Sequence, residues 1–121
     1  MSLKLKNFRI EEFDSPDQPG SGNLMNEEFL LILDTLRDAA GLPFIINSGY
    51  RTKYQNIKDG GKPDSAHLKG LAADIRAVNG WAKYRIIQAA MASGIKRIGI
   101  GSTFIHLDVD NTLPTSVIWT Y

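Results

Sequence analysis

The chain of 121 residues contains no cysteine. Disulfides and thiolate ligands are therefore excluded, and a metal ion would have to be held by nitrogen and oxygen. Long apolar runs are missing too, since nothing approaches the roughly 18 residues a membrane span needs. No charge of one sign dominates: 14 basic residues stand against 13 acidic ones, for a net charge of +1. With no basic run and no basic–aromatic interleaving, nucleic acid is not an expected partner. The N-terminus, Met1-Ser2-Leu3-Lys4-Leu5-Lys6, has no apolar core of the kind a signal peptide carries. Cytoplasmic synthesis is the expectation that follows.

What is present fits one globular domain over residues 1–121. Hydrophobic residues make up 43% and charged residues 22%, the proportions of a chain that buries a core. A monomer is the default expectation.

Residues 7–25 are dense in turn formers, above all from Asp14 to Gly22, and predict an irregular loop. Asn23 or Asn26 can then cap a helix whose first turn carries Glu27 and Glu28 at the positive end of its dipole. Phe29, Ile32, Leu33, Leu36 and Ala40 recur at helical spacing as its buried face, and Gly41 stops it. Phe44, Ile45 and Ile46 predict a short strand. Residues 47–63 predict a long, mostly irregular connection of the size that tends to be functional. Asn79 caps a second helix with Trp81, Tyr84, Ile87, Ala90 and Met91 as its apolar face, ended by Gly94. Residues 96–100 and 104–109 predict two strands around a turn at Gly101-Ser102, and Val117 to Trp119 a last one. This order predicts an α+β fold, a small antiparallel sheet with helices packed against it.

Only two histidines occur, and both stand beside spaced carboxylates. His67 opens His67-Leu68-Lys69-Gly70-Leu71-Ala72-Ala73-Asp74, and His106 opens His106-Leu107-Asp108. Two imidazoles and one carboxylate, with a fourth position left for water, is the ligand arithmetic of a catalytic zinc site. His67 and Asp74 are seven apart, which puts them on opposite faces of a strand. In a continuous helix the same spacing separates them by roughly 10 Å. The pair can meet only if the chain turns between them, and Gly70 permits that turn. His67 is therefore expected on a loop or strand end, and Asp74 on a strand returning to the same ion. His106 and Asp108 share one face of a strand, while Ile105, Leu107 and Val109 take the other. Taken singly, each residue has a plainer reading: a hydrogen-bonded histidine, a turn-capping Asp74, a solvated Asp108.

Arg51, in Asn47-Ser48-Gly49-Tyr50-Arg51-Thr52, leaves the C-terminal end of the first predicted strand, where clefts form. A fixed guanidinium there can neutralise a carboxylate or a developing oxyanion. A surface salt bridge is the plainer alternative.

Taken in order, Ser48-Gly49-Tyr50-Arg51, Ser65-x-His67-x-x-Gly70-x-Ala72-x-Asp74 and His106-x-Asp108 resemble the zinc peptidases that cleave bacterial cell-wall peptides. These are the D-alanyl-D-alanine carboxypeptidases and dipeptidases and the L-alanyl-D-glutamate endolysins, with the Hedgehog/DD-peptidase fold. The resemblance implies that His67, Asp74 and His106 are zinc ligands. It implies that Arg51 binds substrate and stabilises the oxyanion, and that Tyr50 and Ser65 contact the substrate. Many members carry a catalytic carboxylate three residues before the last histidine, where this chain has Thr103. The chain resembles instead the subgroup ending in His-x-Asp, which makes Asp108 the leading candidate for general base. Its alternative role is to orient His106, and Asp64 is the weaker candidate for the base. The implied activity is zinc-dependent hydrolysis of peptidoglycan stem peptides containing D-residues, at the cell wall after phage-type release. The alternative is a non-catalytic wall-binding or protein-binding module on the same fold.

Overall fold

The computed structural model describes residues 3–121; Met1 and Ser2, where the N-terminal reading begins, lie outside the described residues. Helices α1 (Glu27–Ala40), α2 (Lys53–Lys58) and α3 (Gly80–Ala92) accompany strands β1 (Ile46–Ser48), β2 (Ala72–Arg76), β3 (Arg97–Ile100), β4 (Phe104–Asp108) and β5 (Val117–Thr120). Among the described residues no helix is long and apolar enough to cross a membrane.

Asn26, not Asn23, caps α1: its side chain accepts the Phe29 N–H, and Gly41 closes the helix with φ 73°. Phe29, Leu30, Leu33, Leu36 and Ala40 are buried. Asn79 caps α3 by accepting the Ala82 N–H. The face that α3 buries is only partly the expected one: Ala90 is buried and Ile87 packs partly buried against the core. Ala82, Ile86, Ala89 and Ala90 are buried, whereas Trp81, Tyr84 and Met91 are exposed. Three alanines let α3 approach α1 closely, and Arg85 Nε donates to the Ala40 carbonyl at 2.9 Å to tie the two helices together. Trp81, Tyr84 and Met91 point away.

Three further expectations shift. Residues 7–25 are ordered by short 3-10 helices at Ile10–Phe13 and Ser21–Leu24, and Asp14 accepts the backbone N–H groups of Gly20 and Gly22. The first strand runs Ile46–Ser48 rather than 44–46, because Phe44 turns into the core and pairing with β2 starts at Ile46↔Ile75. The connection 47–63 contains α2, capped by Thr52, whose hydroxyl accepts the Gln55 N–H at 3.1 Å. A capped six-residue helix is too short to give a periodic signal.

The sheet has the order β1-β2-β4-β3-β5. All neighbours are antiparallel except β3 and β5, which run parallel. The expected antiparallel sheet is thus mixed: the chain leaving β4 loops past the sheet end and enters β5 in the direction of β3. Alternation then sorts the two faces. Ala73, Ile75, Ile98, Ile105 and Leu107 face the helices and join the core. Asp74, His106 and Asp108 face the other way, into a cleft.

Candidate metal centre

The cleft face is organised by one straight row across the sheet. Ser48 pairs with Asp74, Asp74 with His106, His106 with Gly99, and Gly99 with Trp119. His67 reaches this row from outside the sheet. It sits on a 3-10 helix, Ala66–Lys69, started by Ser65, whose hydroxyl accepts the His67 N–H at 3.2 Å. Gly70, at φ 70°, then reverses the chain into β2. A side chain at Gly70 would strike the Leu24 carbonyl and come within 2.9 Å of Met25 Cα. The bend that unites His67 with Asp74 therefore requires glycine on both conformational and steric grounds.

One ligand atom each from His67, Asp74 and His106 lies within 4.8 Å of the others, and all three residues are buried. Asp74 Oδ1 is 2.8 Å from His106 Nδ1 and 3.3 Å from His67 Nε2. The outer nitrogen of each ring is pinned. His67 Nδ1 is 2.8 Å from the Gly49 carbonyl oxygen, which can only accept, so Nδ1 carries the proton and Nε2 presents its lone pair inward. His106 Nε2 is 2.6 Å from Asp108 Oδ2, which leaves Nδ1 facing the cluster. With both rings neutral and their inner nitrogens unprotonated, two lone pairs and a carboxylate, all nitrogen and oxygen, suit a divalent ion of zinc's preference.

In the bare cluster these donors hold each other. Burial opposes charge on Asp74, but hydrogen bonds from His106 and His67 and their charges outweigh it and hold the carboxyl well below the usual carboxylate range. Burial also disfavours a charged His106, yet its bonds to Asp108 and Asp74 and their charges prevail and raise its pKa.

Arg51 lies beside the cluster. Its Nη2 is 3.3 Å from Asp74 Oδ2, its Nε donates to Ser48 Oγ at 2.9 Å, and its Nη1 donates to Asn56 Oδ1 at 3.2 Å. Asp59 is 3.4 Å from Nε. The guanidinium thus fixes the outer oxygen of Asp74. Asp108 stands behind His106, on the ring edge opposite the cluster. Oδ1 accepts from Arg97 Nε at 2.7 Å and from the Asp110 N–H at 3.1 Å. Both of its oxygens are therefore engaged. Ser65 lines the cleft, as does Asp64, which is exposed on the rim. Tyr50 packs against the core and does not line the cleft.

The cleft has a volume of about 700 Å³. Arg51, Asp59, Lys62 and Asp64 give it a polar wall; Phe104, Leu113, Pro114, Trp119 and Tyr121 also line it, with Arg97 over the Trp119 ring. Arg97 and Trp119 are the residues that sequence reading missed. Arg97 holds Asp108 and places its guanidinium 4.9 Å from the Trp119 ring centroid. Its signal was present: position 97 shares a strand face with Gly99, but only the pairing of β3 with β4 shows that this face is the cleft.

A buried His–Asp–His set at the floor of an open cleft could hold a metal ion. Residues 6–108 match the Peptidase M15 family, and the chain belongs to that family, whose members are metallopeptidases. No curated protein matches the chain.

Proposed function

We propose that the protein is a zinc-dependent peptidase that hydrolyses peptidoglycan stem peptides containing D-amino acids. The observation that carries this reading is the convergence of His67 Nε2, Asp74 and His106 Nδ1 on one point of the cleft floor, with the other nitrogen of each ring already committed to an acceptor. Zinc held there acts as a Lewis acid on an amide carbonyl and acidifies water. Membership of Peptidase M15 supports peptide bonds as the target.

The roles of the surrounding residues follow from their partners. Arg51 keeps Asp74 turned toward the ion and sets a permanent positive charge at the polar wall, where a peptide carboxylate or an oxyanion binds. The Ser65 hydroxyl, beside His67, hydrogen-bonds the substrate. Tyr50, next to Arg51 in the chain, packs against the core and anchors that segment. Asp108 orients His106 instead of serving as general base, because both its oxygens are engaged on the far side of the ring. Asp64, exposed on the cleft rim, is then the remaining candidate for the general base.

The deciding experiment digests purified peptidoglycan with zinc-loaded protein and identifies the new termini by mass. New termini that His67→Ala fails to produce support the reading. Equal cleavage by His67→Ala, or none by the zinc-loaded wild type, overturns it.

A further inference from the structure

We infer that Asp59 is a specificity-determining residue: it screens the Arg51 charge, so that the cleft disfavours a free carboxylate beside the scissile bond, a reading that rests on the peptidase function proposed above. The screen is built by α2 and the turn after it. Asn56 and Asp59 are three residues apart, and one face of the helix presents both to Arg51. Asn56 Oδ1 accepts from Arg51 Nη1 at 3.2 Å, and Asp59 Oδ2 lies 3.4 Å from Nε. Gln55, one turn before Asp59 and itself buried, aims the carboxylate. Its Nε2 donates to Asp59 Oδ1 at 2.9 Å, which leaves Oδ2 for the guanidinium. Nε has a single hydrogen and gives it to Ser48 Oγ at 2.9 Å. Asp59 therefore acts on Arg51 as a charge rather than as a hydrogen-bond acceptor. Gly61 lets the chain fold back over this group. A Cβ there would overlap the Asn56 side-chain oxygen and stand 3.0 Å from Arg51 Nη1.

Arg51 is consequently not a free cation. Asp74 holds Nη2 at 3.3 Å and Asp59 flanks Nε, so one guanidinium lies between two carboxylates. In the proposed centre Asp74 serves as a ligand, which leaves Asp59 as the carboxylate that offsets Arg51. The Asp59 side chain is 33% exposed against 12% for Arg51. A substrate entering the cleft meets the anion more than the cation. Lys62 and Asp64 continue the same wall with one further charge of each sign, so its charges cancel. Arg97, the other guanidinium in the cleft, is paired with Asp108. An oxyanion draws on the ion as well as on Arg51. A terminal carboxylate lies about 3.3–3.6 Å further along an extended substrate and depends on the wall. There it finds no net positive charge and faces a like charge at Asp59. A neutral amide in the same place avoids that repulsion.

The test uses the full zinc-loaded chain and two synthetic peptides that differ only at the terminus beyond the scissile bond, one a free acid and the other its primary amide. Wild type is expected to favour the amide in kcat/KM by about fivefold, the upper end of what a partly exposed charge contact is worth. Asp59→Asn, whose side-chain oxygen can still accept from Gln55, should lose most of that preference, through KM. Salt separates a charge effect from a structural one. Between about 0.1 M and 1 M salt the Debye length shrinks from about 10 Å to about 3 Å. The wild-type preference should shrink with it, while the Asp59→Asn ratio stays level. If neither peptide is cleaved, the peptidase reading falls, and calorimetric Kd values for the same pair decide the screen by themselves. Tighter binding of the amide by wild type but not by Asp59→Asn supports it. An acid-to-amide ratio equal in wild type and Asp59→Asn overturns the inference. So does a wild-type ratio that favours the acid or ignores salt, and so does a failure of wild type to bind either peptide.

Discussion

The carboxylate of Asp108 holds His106 from behind, Oδ2 to Nε2 at 2.6 Å. It is itself held by Arg97 at 2.7 Å. A line of contacts therefore runs from Arg97 through Asp108, His106 and Asp74 to Arg51, with a guanidinium at each end. This arrangement fixes the angle of the imidazole before any ion arrives.

The Asp108→Asn protein is the direct probe of that role. The amide oxygen can still accept from Nε2, but the charge and much of the Arg97 pairing are lost. Zinc affinity should fall about 10–100-fold, the usual cost of losing an orienting partner, as measured by competition with a chelator. At saturating zinc the variant should still cleave. Abolished turnover with zinc fully bound would instead assign Asp108 the general-base role.

The bare cluster also predicts a pH profile for stability in the presence of chelator. Asp74 has a depressed folded pKa, so its contribution is complete above the ordinary 3.8 and is lost as pH falls from there. His106 has a raised one, so its contribution is complete below the ordinary 6.5 and is lost as pH rises through the folded value. The melting temperature of the metal-free protein should peak between those limits. His106→Asn should flatten the alkaline decline, and an undiminished decline in that variant would contradict the assignment.

Much of this centre was legible because its geometry is local. The seven-residue gap from His67 to Asp74 demanded a bend, and Gly70 was the residue able to make it. Strand alternation alone put His106 and Asp108 on one face. The direction in which Asp108 points was not legible, since a shared face does not say which edge of the ring a carboxylate takes. Trp119 stayed hidden for a different reason: it enters the cleft through the β3–β5 pairing, a long-range parallel contact that no local pattern encodes. Arg97 enters through the pairing of β3 with β4 that sets it opposite Asp108. The α3 error was one of size. Trp81 and Tyr84 read as core because they are large and apolar, whereas close packing against α1 selected the alanines.

That last point carries its own measurement. Ile86 is fully buried between α3 and the rest of the core, while Tyr84 is 65% exposed. Ile86→Ala should cost about 2–5 kcal/mol in denaturant unfolding, as for aliphatic truncation in a packed core. Tyr84→Ala should cost within about 0.5 kcal/mol. Similar losses at the two positions would return α3 to the face read from its large residues.

Gly70 and Gly94 share a left-handed backbone, φ 70° and 82°, but differ in surroundings. Nothing lies within 4 Å of a Cβ at Gly94, whereas at Gly70 it would strike the Leu24 carbonyl and Met25 Cα. Gly70 also binds the start of α1 through its carbonyl, which accepts the Asn26 N–H at 2.9 Å. Gly94→Ala should therefore cost only the conformational strain, about 1–2 kcal/mol. Gly70→Ala adds overpacking to the same strain and should cost about 2–5 kcal/mol. Because the Gly70 bend is what aims His67 at Asp74, Gly70→Ala should also weaken zinc binding at temperatures where the protein remains folded, and Gly94→Ala should not. Equal zinc affinity in the two variants, read by chelator competition on folded protein, would show that the ligand geometry does not depend on this turn.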